Sequence, residues 1–404
     1  MSNQITLQDC TLLITDGKHG DCKNQDSSGY YFISSKDVKD GVINYENARQ
    51  ITEIDFTDTH RRTRFAPNDI LITNSGTIGR MAFARDIPET LRTTFQKSVA
   101  IVKPNSAVVF PKWLYYQLLF DMGRISDLAS GTAQKNLLLK DLRAIKLSLP
   151  SLLTQQKIAA ILSAYDDLIE NNLKRIKLLE EMAQITYEEW FVRLRFPGYE
   201  STPIDSATGL PEEWKRVTLG EVVSNFDRMR VPLSSTQRLK LKGSYPYYGA
   251  ASVLDYINDY IFDGKYLLMG EDGTVITPNG TPSIQFVNEK FWANNHTHIL
   301  QGQKISTEFL YIYLSQYQIS NHITGAAQPK INQQNMNRIP MLLASDHLMK
   351  KLDCILIPIF ESVFNYKNQN QLLREARNIL LPRLMTGKID VESYNPADLL
   401  KEVA

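Results

Sequence analysis

Two long stretches of this chain place apolar residues at helical spacing. From Gln155 to Phe191 there is neither Pro nor Gly. Ile158, Tyr165, Asn172, Leu179 and Thr186 recur every seven residues. Ile161, Leu168 and Met182 stand three places after members of that row, and Leu162, Ile169, Ile176, Ala183 and Trp190 stand four places after. Lys157, Asp166, Lys174, Lys177 and Glu188 fall on the opposite face. Such a stripe lets a helix pack lengthwise against another. Pro197 and Gly198 in "RFPGYE" stop it. The second stretch repeats the rhythm at Leu352, Ile359, Tyr366, Leu373 and Leu380 and runs out near "PRLMTGKI". Pro358 departs from it: a proline removes a helical donor, so a kink or a restart is expected there. Asn172 holds an inward position of the first stripe. It either fixes the register of a helix pair or faces solvent at a splayed end.

Elsewhere the period changes. "DILIT" from Asp69, "SVAIVK" from Ser98, "KYLLM" from Lys265 and "THILQ" from Thr297 are short β-branched or aromatic runs and predict strands. "KWLYYQLLFDMGRISDLA" from Lys112 and "TEFLYIYLSQYQISNHI" from Thr307 predict amphipathic helices. The Pro-, Gly- and Ser-rich "PGYESTPIDSATGLPEEW" from Pro197 predicts a linker.

These elements come twice. A shift of 194 lays "GTAQ" from Gly131 on "GAAQ" from Gly325, and carries Ile158, Leu162, Ile169, Leu178 and Glu181 onto Leu352, Leu356, Val363, Leu372 and Glu375. With small changes of offset, "DILITNSGTIG" meets "KYLLMGEDGTVI", and "ITLQDC" from Ile5 meets "VTLGEV" from Val217. The chain reads as a tandem duplication of about 200 residues, far longer than a solenoid repeat. The expected divisions are a first globular domain at 1–150, a long helix at 151–197, a second globular domain with its linker at 198–344, a second long helix at 345–387, and a tail at 388–404. The fold class is α+β, with two mixed α/β domains and an internal pseudo-two-fold repeat.

Composition narrows the function. No apolar run approaches the roughly 20 residues that span a bilayer, and "MSNQITLQDC" is not patterned as a secretory signal. Cys10, Cys22 and Cys354 are scattered and odd in number, which argues against a disulfide framework and fits a reducing cytoplasm. Net charge is +1. Residues 1–150 carry 19 basic against 16 acidic side chains, and residues 198–344 carry 12 against 13. Bulk electrostatics therefore do not mark a chain that grips DNA alone; contact must come from local clusters or be shared with a partner.

No GxxxxGK[ST], GxGxxG or HExxH pattern is present, which leaves nucleotide hydrolysis, dinucleotide or S-adenosylmethionine binding and zinc hydrolysis unsupported. His296 and His298 would share one face of a strand, but no third metal ligand is evident, and a polar strand edge is the simpler reading. What remains suits DNA. Polar, Gly-rich loops hold Lys18, His19, Lys23 and Asn24, and then Asn74, Ser75, Thr77 and Arg80; Arg61, Arg62 and Arg64 form the densest basic cluster. In the second half Arg228, Arg230, Asp272, Thr274, Asn294, Asn295, His296 and Lys330 are comparable. Arg suits guanine and Asn suits adenine in the major groove, while Lys suits phosphate. Taken singly, each loop could equally be a solvated turn.

The order of globular part and heptad helix, twice over, together with the "GTAQ" and "GAAQPKIN" phrases, "LPEEWKRVTLGEV" from Leu210 and the terminal "LLPRLMTGKIDV", resembles the specificity subunit of type I restriction–modification systems. The resemblance covers nearly the whole chain. It implies two target-recognition domains, each reading half of a bipartite site on double-stranded DNA, held apart by an antiparallel coiled coil. It implies partners: methyltransferase subunits, two in number, that bind S-adenosylmethionine and methylate adenine, and restriction subunits that use ATP and Mg. It implies no catalytic residue, cofactor or metal on this chain and no membrane. The two globular halves differ greatly in sequence, so the half-sites should differ.

A helix of about 38 residues is roughly 57 Å long, on the order of 17 base pairs. Rival readings are a freestanding DNA-binding regulator, a coiled-coil adaptor without nucleic acid, and an enzyme whose motifs are not evident. Near-neutral charge argues against the first, and the polar loops against the second.

Overall fold

The computed structural model describes residues 3–129, 136–325 and 328–392. The chain divides into two compact units: 1–170 with 371–404, and 171–370. Each long helix is thus shared between the units. "GTAQ" at 131–134 lies outside the described residues, as do 326–327 of "GAAQ" and most of the tail.

In the first unit four strands form an antiparallel sheet in the order Thr11–Asp16, Val99–Pro104, Ile70–Thr73, Met81–Phe83. Side chains alternate across a strand, and here both faces are buried. Ile70 and Ile72 join Ala100 and Val102 in one core, with Trp113, Leu114 and Tyr116 of the helix Pro111–Phe120. Leu71 joins Val99 and Ile101 in a second core with Phe65 and Phe95. That is why "DILIT" and "SVAIVK" read as continuous rather than alternating apolar runs. Asn3–Thr6 pairs antiparallel with Lys146–Leu149, joining the two ends of the domain. The expected helix from Lys112 is broken: Pro111–Phe120 and Met122–Asp127 meet at Asp121. There Gln117 donates to the Asp121 carboxylate (2.8 Å), and Gly123 follows two residues later.

The second unit has a six-stranded sheet, in the order Val223–Asn225, Thr297–Gly302, Phe262–Gly270, Ile284–Ala293, Lys242–Tyr248, Val253–Ile257. Only Lys242–Tyr248 beside Ile284–Ala293 is parallel. Leu267, Met269 and Leu300 pack under Phe309 and Leu310 of the helix Thr307–Gln316; Leu268 and Ile299 face the other core with Val287 and Phe291. Lys215–Thr218 pairs with Pro340–Leu343, repeating the end-to-end pairing of the first unit.

The long helices are Leu152–Tyr187 and Asp346–Met385. In the first unit Ile158, Ala159 and Leu162 share a core with Leu381 and Leu384, and Asp166 pairs with Arg377. In the second, Asn172 meets Asn370, and Arg175 donates to the Tyr366 hydroxyl at 3.2 Å. Numbers rise on one helix as they fall on the other, so the pairing is antiparallel within each unit. The row Leu162, Ile169, Ile176, Ala183 and Trp190 is buried throughout, whereas Leu168 and Met182 are exposed. Asp166 does not face solvent with the other charged residues: Tyr116 donates to it at 2.5 Å.

Pro358 neither breaks nor restarts its helix, which runs without interruption over 40 residues. Pro358 and Cys354 are both exposed, so water can serve the carbonyl that the missing N–H leaves free. Asn172 is buried and its Nδ2 donates to Asn370 Oδ1 at 3.0 Å, which decides for register over a splayed end. Among the described residues no helix is long and apolar enough to cross a membrane.

Candidate nucleic-acid interface

In each domain one polar loop edge follows the end of an interior strand and is tied to the segment after the repeated phrase, and the two edges are built alike. In the first, Asn74 N donates to Ser98 O (3.0 Å), Leu137 N donates to Asn74 O (2.9 Å), and Ser75 bridges Asn136. In the second, Ile331 N donates to Glu271 O (2.9 Å) and Asp272 bridges Lys330. Leu137 and Ile331, like Asn136 and Lys330, are 194 apart, the offset of the repeated phrase. Gly76 and Gly273 turn both loops at φ 76°, a region that L side chains rarely occupy. The repeated phrase thus leads directly into the segment that each polar loop is tied to.

On the first edge most basic groups have acidic neighbours. Lys18 is 3.2 Å from Asp55, His19 is 3.0 Å from Asp16, Arg61 is 2.9 Å from Asp58 and Arg62 is 2.5 Å from Asp16. Lys23 is exposed, and its N–H reaches Asp55 Oδ2 at 2.8 Å. This hydrogen bond is the main reason the Asp55 carboxyl titrates below its ordinary value. Asn24 accepts from Arg49. Arg64 is not brought to this edge: it caps the helix Glu53–Thr63 with a left-handed backbone, and its carbonyl accepts from Lys103 (2.7 Å), past the Ile70–Val102 end of the sheet, opposite the Thr73–Val99 end that adjoins Asn74. Asn74 is buried, Ser75 and Arg80 are half-buried, and Thr77 is exposed. His60 turns inward: it stacks on Phe56 at 4.8 Å, and burial lowers its pKa. The Arg61–Asp58 pair is exposed on both sides and therefore weak, so Arg61 can exchange its carboxylate for a phosphate.

On the second edge Arg228, Thr274, Asn295, His296 and Lys330 are exposed. Asp272 is shared by His296 (2.5 Å) and Lys330 (3.5 Å). Asn294 is buried, and its side-chain oxygen accepts from His296 N at 2.9 Å. Arg230 also turns inward, to Glu271 at 2.7 Å, Thr297 O at 2.8 Å and Asn295 O at 3.3 Å. Two residues escaped sequence reasoning. Asp227 is held by His298, and Asp16 stands at the corresponding point of the first edge, opposite Ala100. The shared position of the two aspartates, Asp16 at the end of one strand and Asp227 two residues past the end of the other, was the signal available.

Asp227, Glu271 and His298 put ligand-type atoms within 4.8 Å of one another. They do not make a cation site. Arg230 already sits among them, and His298 directs one ring nitrogen at Asp227 and the other at the Ile331 carbonyl. No ring lone pair is left to ligate.

The long helices present a second surface. Leu178 and Ile185 are 64% and 60% exposed on the first, and Leu372 and Ile379 are 64% and 54% exposed on the second. These pairs are also related by the shift of 194.

Duplicated sheet domains with polar loop edges, each followed by a long helix that buries one stripe and exposes another apolar row, define a two-headed recognition protein. The model of the type I restriction modification DNA specificity domain matches residues 18–181 and 211–343. A MjaIX specificity subunit from Methanocaldococcus jannaschii is 27% identical over 394 residues, spanning 89% of this chain and 87% of that one. A putative specificity subunit from Haemophilus influenzae, S.HindORF215P, is 34% identical over 152 residues, 36% of this chain and 38% of that one. A type I S subunit structure from M. genitalium covers 95% of both chains at 18% identity with a TM-score of 0.57, a likeness of fold. The chain belongs to the type I restriction modification DNA specificity family. It is a specificity subunit with two target-recognition domains, the non-catalytic, DNA-recognising component of such a system.

Proposed function

We propose that the first domain reads one half of a bipartite, asymmetric DNA site and the second reads the other, through the loop edges described above. The observation that carries this reading is the equivalence of the two edges. Ser75–Asn136 and Asp272–Lys330 are the same construction with different side chains. A common frame with divergent chemistry suits two readers of different half-sites. On the first edge the exposed Lys23, Arg61, Arg62 and Thr77 are the foremost contacts; on the second, Arg228, Thr274, Asn295, His296 and Lys330.

The helices set the spacer and dock the partners. Buried heptads and the Asn172–Asn370 pair support a stiff spacer of fixed register. The equivalent apolar rows at Leu178/Ile185 and Leu372/Ile379 support two docking places for methyltransferase subunits, one on each helix. S-adenosylmethionine, ATP and Mg then belong to the methyltransferase and restriction subunits, and this chain binds none of them.

The test is assembly followed by binding. The chain co-purified with its methyltransferase subunits should bind a duplex carrying its site far more tightly than a scrambled duplex. Lys330→Ala should weaken that binding. Equal affinity for both duplexes contradicts the reading.

A further inference from the structure

The second recognition edge is built around a buried histidine that the first edge lacks among the described residues. His298 Nδ1 lies 2.6 Å from Asp227 Oδ2, and its Nε2 lies 2.9 Å from the Ile331 carbonyl oxygen. A carboxylate and a carbonyl only accept hydrogen bonds. Both ring nitrogens therefore donate, and the ring is an imidazolium at 1% exposure. Asp227 Oδ1 also accepts from Ile299 N at 2.9 Å.

The charged groups facing the ring are few. Asp227 and Glu271, the latter at 3.8 Å, favour its charge. Arg230 opposes it, but is itself drawn to Glu271 at 2.7 Å and to Asp227 at 3.6 Å. From the neighbouring strand Met269 stands opposite and adds no charge. Burial disfavours the imidazolium most strongly of any single cause, but the bond and charge of Asp227, the bond to the Ile331 carbonyl and the charge of Glu271 together outweigh it, and the pKa of His298 is raised above the ordinary 6.5.

The network joins four segments. Asp227 and Arg230 flank Arg228, and Glu271 precedes Asp272. Arg230 holds the backbone at Asn295 and Thr297, and His298 holds Ile331, the neighbour of Lys330. Each segment carries a candidate DNA contact. In the first domain Ala100 stands opposite Asp16, and Asp16 is held by the exposed side chains of Arg62 and His19.

We propose that His298 is a positioning residue for DNA recognition by the second domain: its doubly protonated ring fixes the segments that carry Arg228, Asn295 and Lys330, and loss of a proton releases one of them. Reading of the second half-site then depends on pH, and reading of the first does not depend on this group. The inference rests on the proposed role of these loops as a DNA interface.

The sign follows from the raised pKa. Positioning is complete while the ring is charged and is lost as pH rises through its folded pKa. His296, exposed and 2.5 Å from Asp272, is the other histidine on this edge, so His296→Gln is the control.

The test uses the chain assembled with its methyltransferase subunits and duplexes carrying a base change in one half-site or the other, from pH 6.5 to 9. Discrimination at the second half-site should fall by about tenfold or more as pH rises, the scale of one charged hydrogen bond. Discrimination at the first should hold. His298→Gln should flatten the second profile, and His296→Gln should leave its alkaline fall in place. In the free chain, nitrogen NMR of the ring should show two N–H groups at pH 6.5. A ring with one N–H there overturns the proposal, even if the Gln variant does not fold. So does a second-half profile that His298→Gln leaves unchanged while binding persists. Absence of site-specific binding at every pH overturns the recognition reading itself, and the positioning role with it.

Discussion

Asp16 and Asp227 stand at matching points of the two edges, and their partners decide how each edge responds to change. Asp227 and His298 are buried together, at 8% and 1% side-chain exposure. Removing one charge strands the other, which costs about 3 kcal/mol or more. Asp227→Asn should therefore lower the urea midpoint of the chain at pH 6. The loss should shrink at pH 9, where the ring can be neutral. The wild type should show both signs. Burial pushes Asp227 up, but the bond and charge of His298 together with the bonds from Ile299 and Asn225 more than reverse this, so its pKa lies below the ordinary 3.8. Its contribution is present above about pH 3.8 and fades as pH falls through the folded value. The contribution of His298, with its raised pKa, is full below about pH 6.5 and fades as pH rises through the folded value. Lys330, exposed beside Asp272, is different in kind. Lys330→Ala should leave the unfolding free energy in urea unchanged within about 0.5 kcal/mol, weaken DNA binding and reduce the salt slope by about one. An unchanged salt slope would remove Lys330 from the phosphate contacts. The residue scale was only partly legible in sequence. Exposed loop residues such as Arg228 and Thr274 were marked by composition. Arg230 and Asn294 have the same composition but point inward, because the partners that turn them, Glu271 and the backbone of residues 295–297, are brought to them by the sheet.

Between the helices, the Asn172–Asn370 pair is a polar contact inside an apolar stripe. Asn370 Nδ2 finds no partner among the described residues, so the pair is under-satisfied. Asn172→Leu alone would strand Asn370 further and should cost about 1–3 kcal/mol. The double change to Leu at 172 and 370 should restore or raise the thermal midpoint while relaxing register. A single Leu change more stable than wild type would argue against a specific pairing. Pro358 should be a pure cost: Pro358→Ala in an exposed helix interior should stabilise by about 1–3 kcal/mol, read as a higher thermal midpoint. Both long helices were legible because heptad spacing reports a buried stripe wherever it runs. The four quoted strands were legible too, since a sheet covered on both faces needs continuous apolar runs. The effect of Pro358 was not, because whether a lost hydrogen bond breaks a helix depends on access of water to Cys354. Nor was the break at Asp121, where apolar periodicity continues past a turn.

At the scale of the molecule, duplication accounts for features that otherwise look accidental. The repeated phrase precedes the same loop crossing in each domain, and the exposed pairs Leu178/Ile185 and Leu372/Ile379 recur at the same shift. Leu178→Glu with Ile185→Glu should remove one methyltransferase subunit from the complex, and Leu372→Glu with Ile379→Glu the other, read by native mass. Loss of neither would discard the docking rows. A four-residue insertion after Lys174 matched by one after Asn368 should widen the gap between half-sites by about two base pairs, with both half-sites unchanged. The measurement nearest the central claim is the pattern of methylated adenines in a genome where the chain is co-expressed with its methyltransferase subunits. The expected pattern is one bipartite motif with two different halves and a fixed gap, and replacing residues 1–150 with the same domain of a relative should change one half alone. A contiguous motif, or a swap that rewrites both halves, would contradict the account.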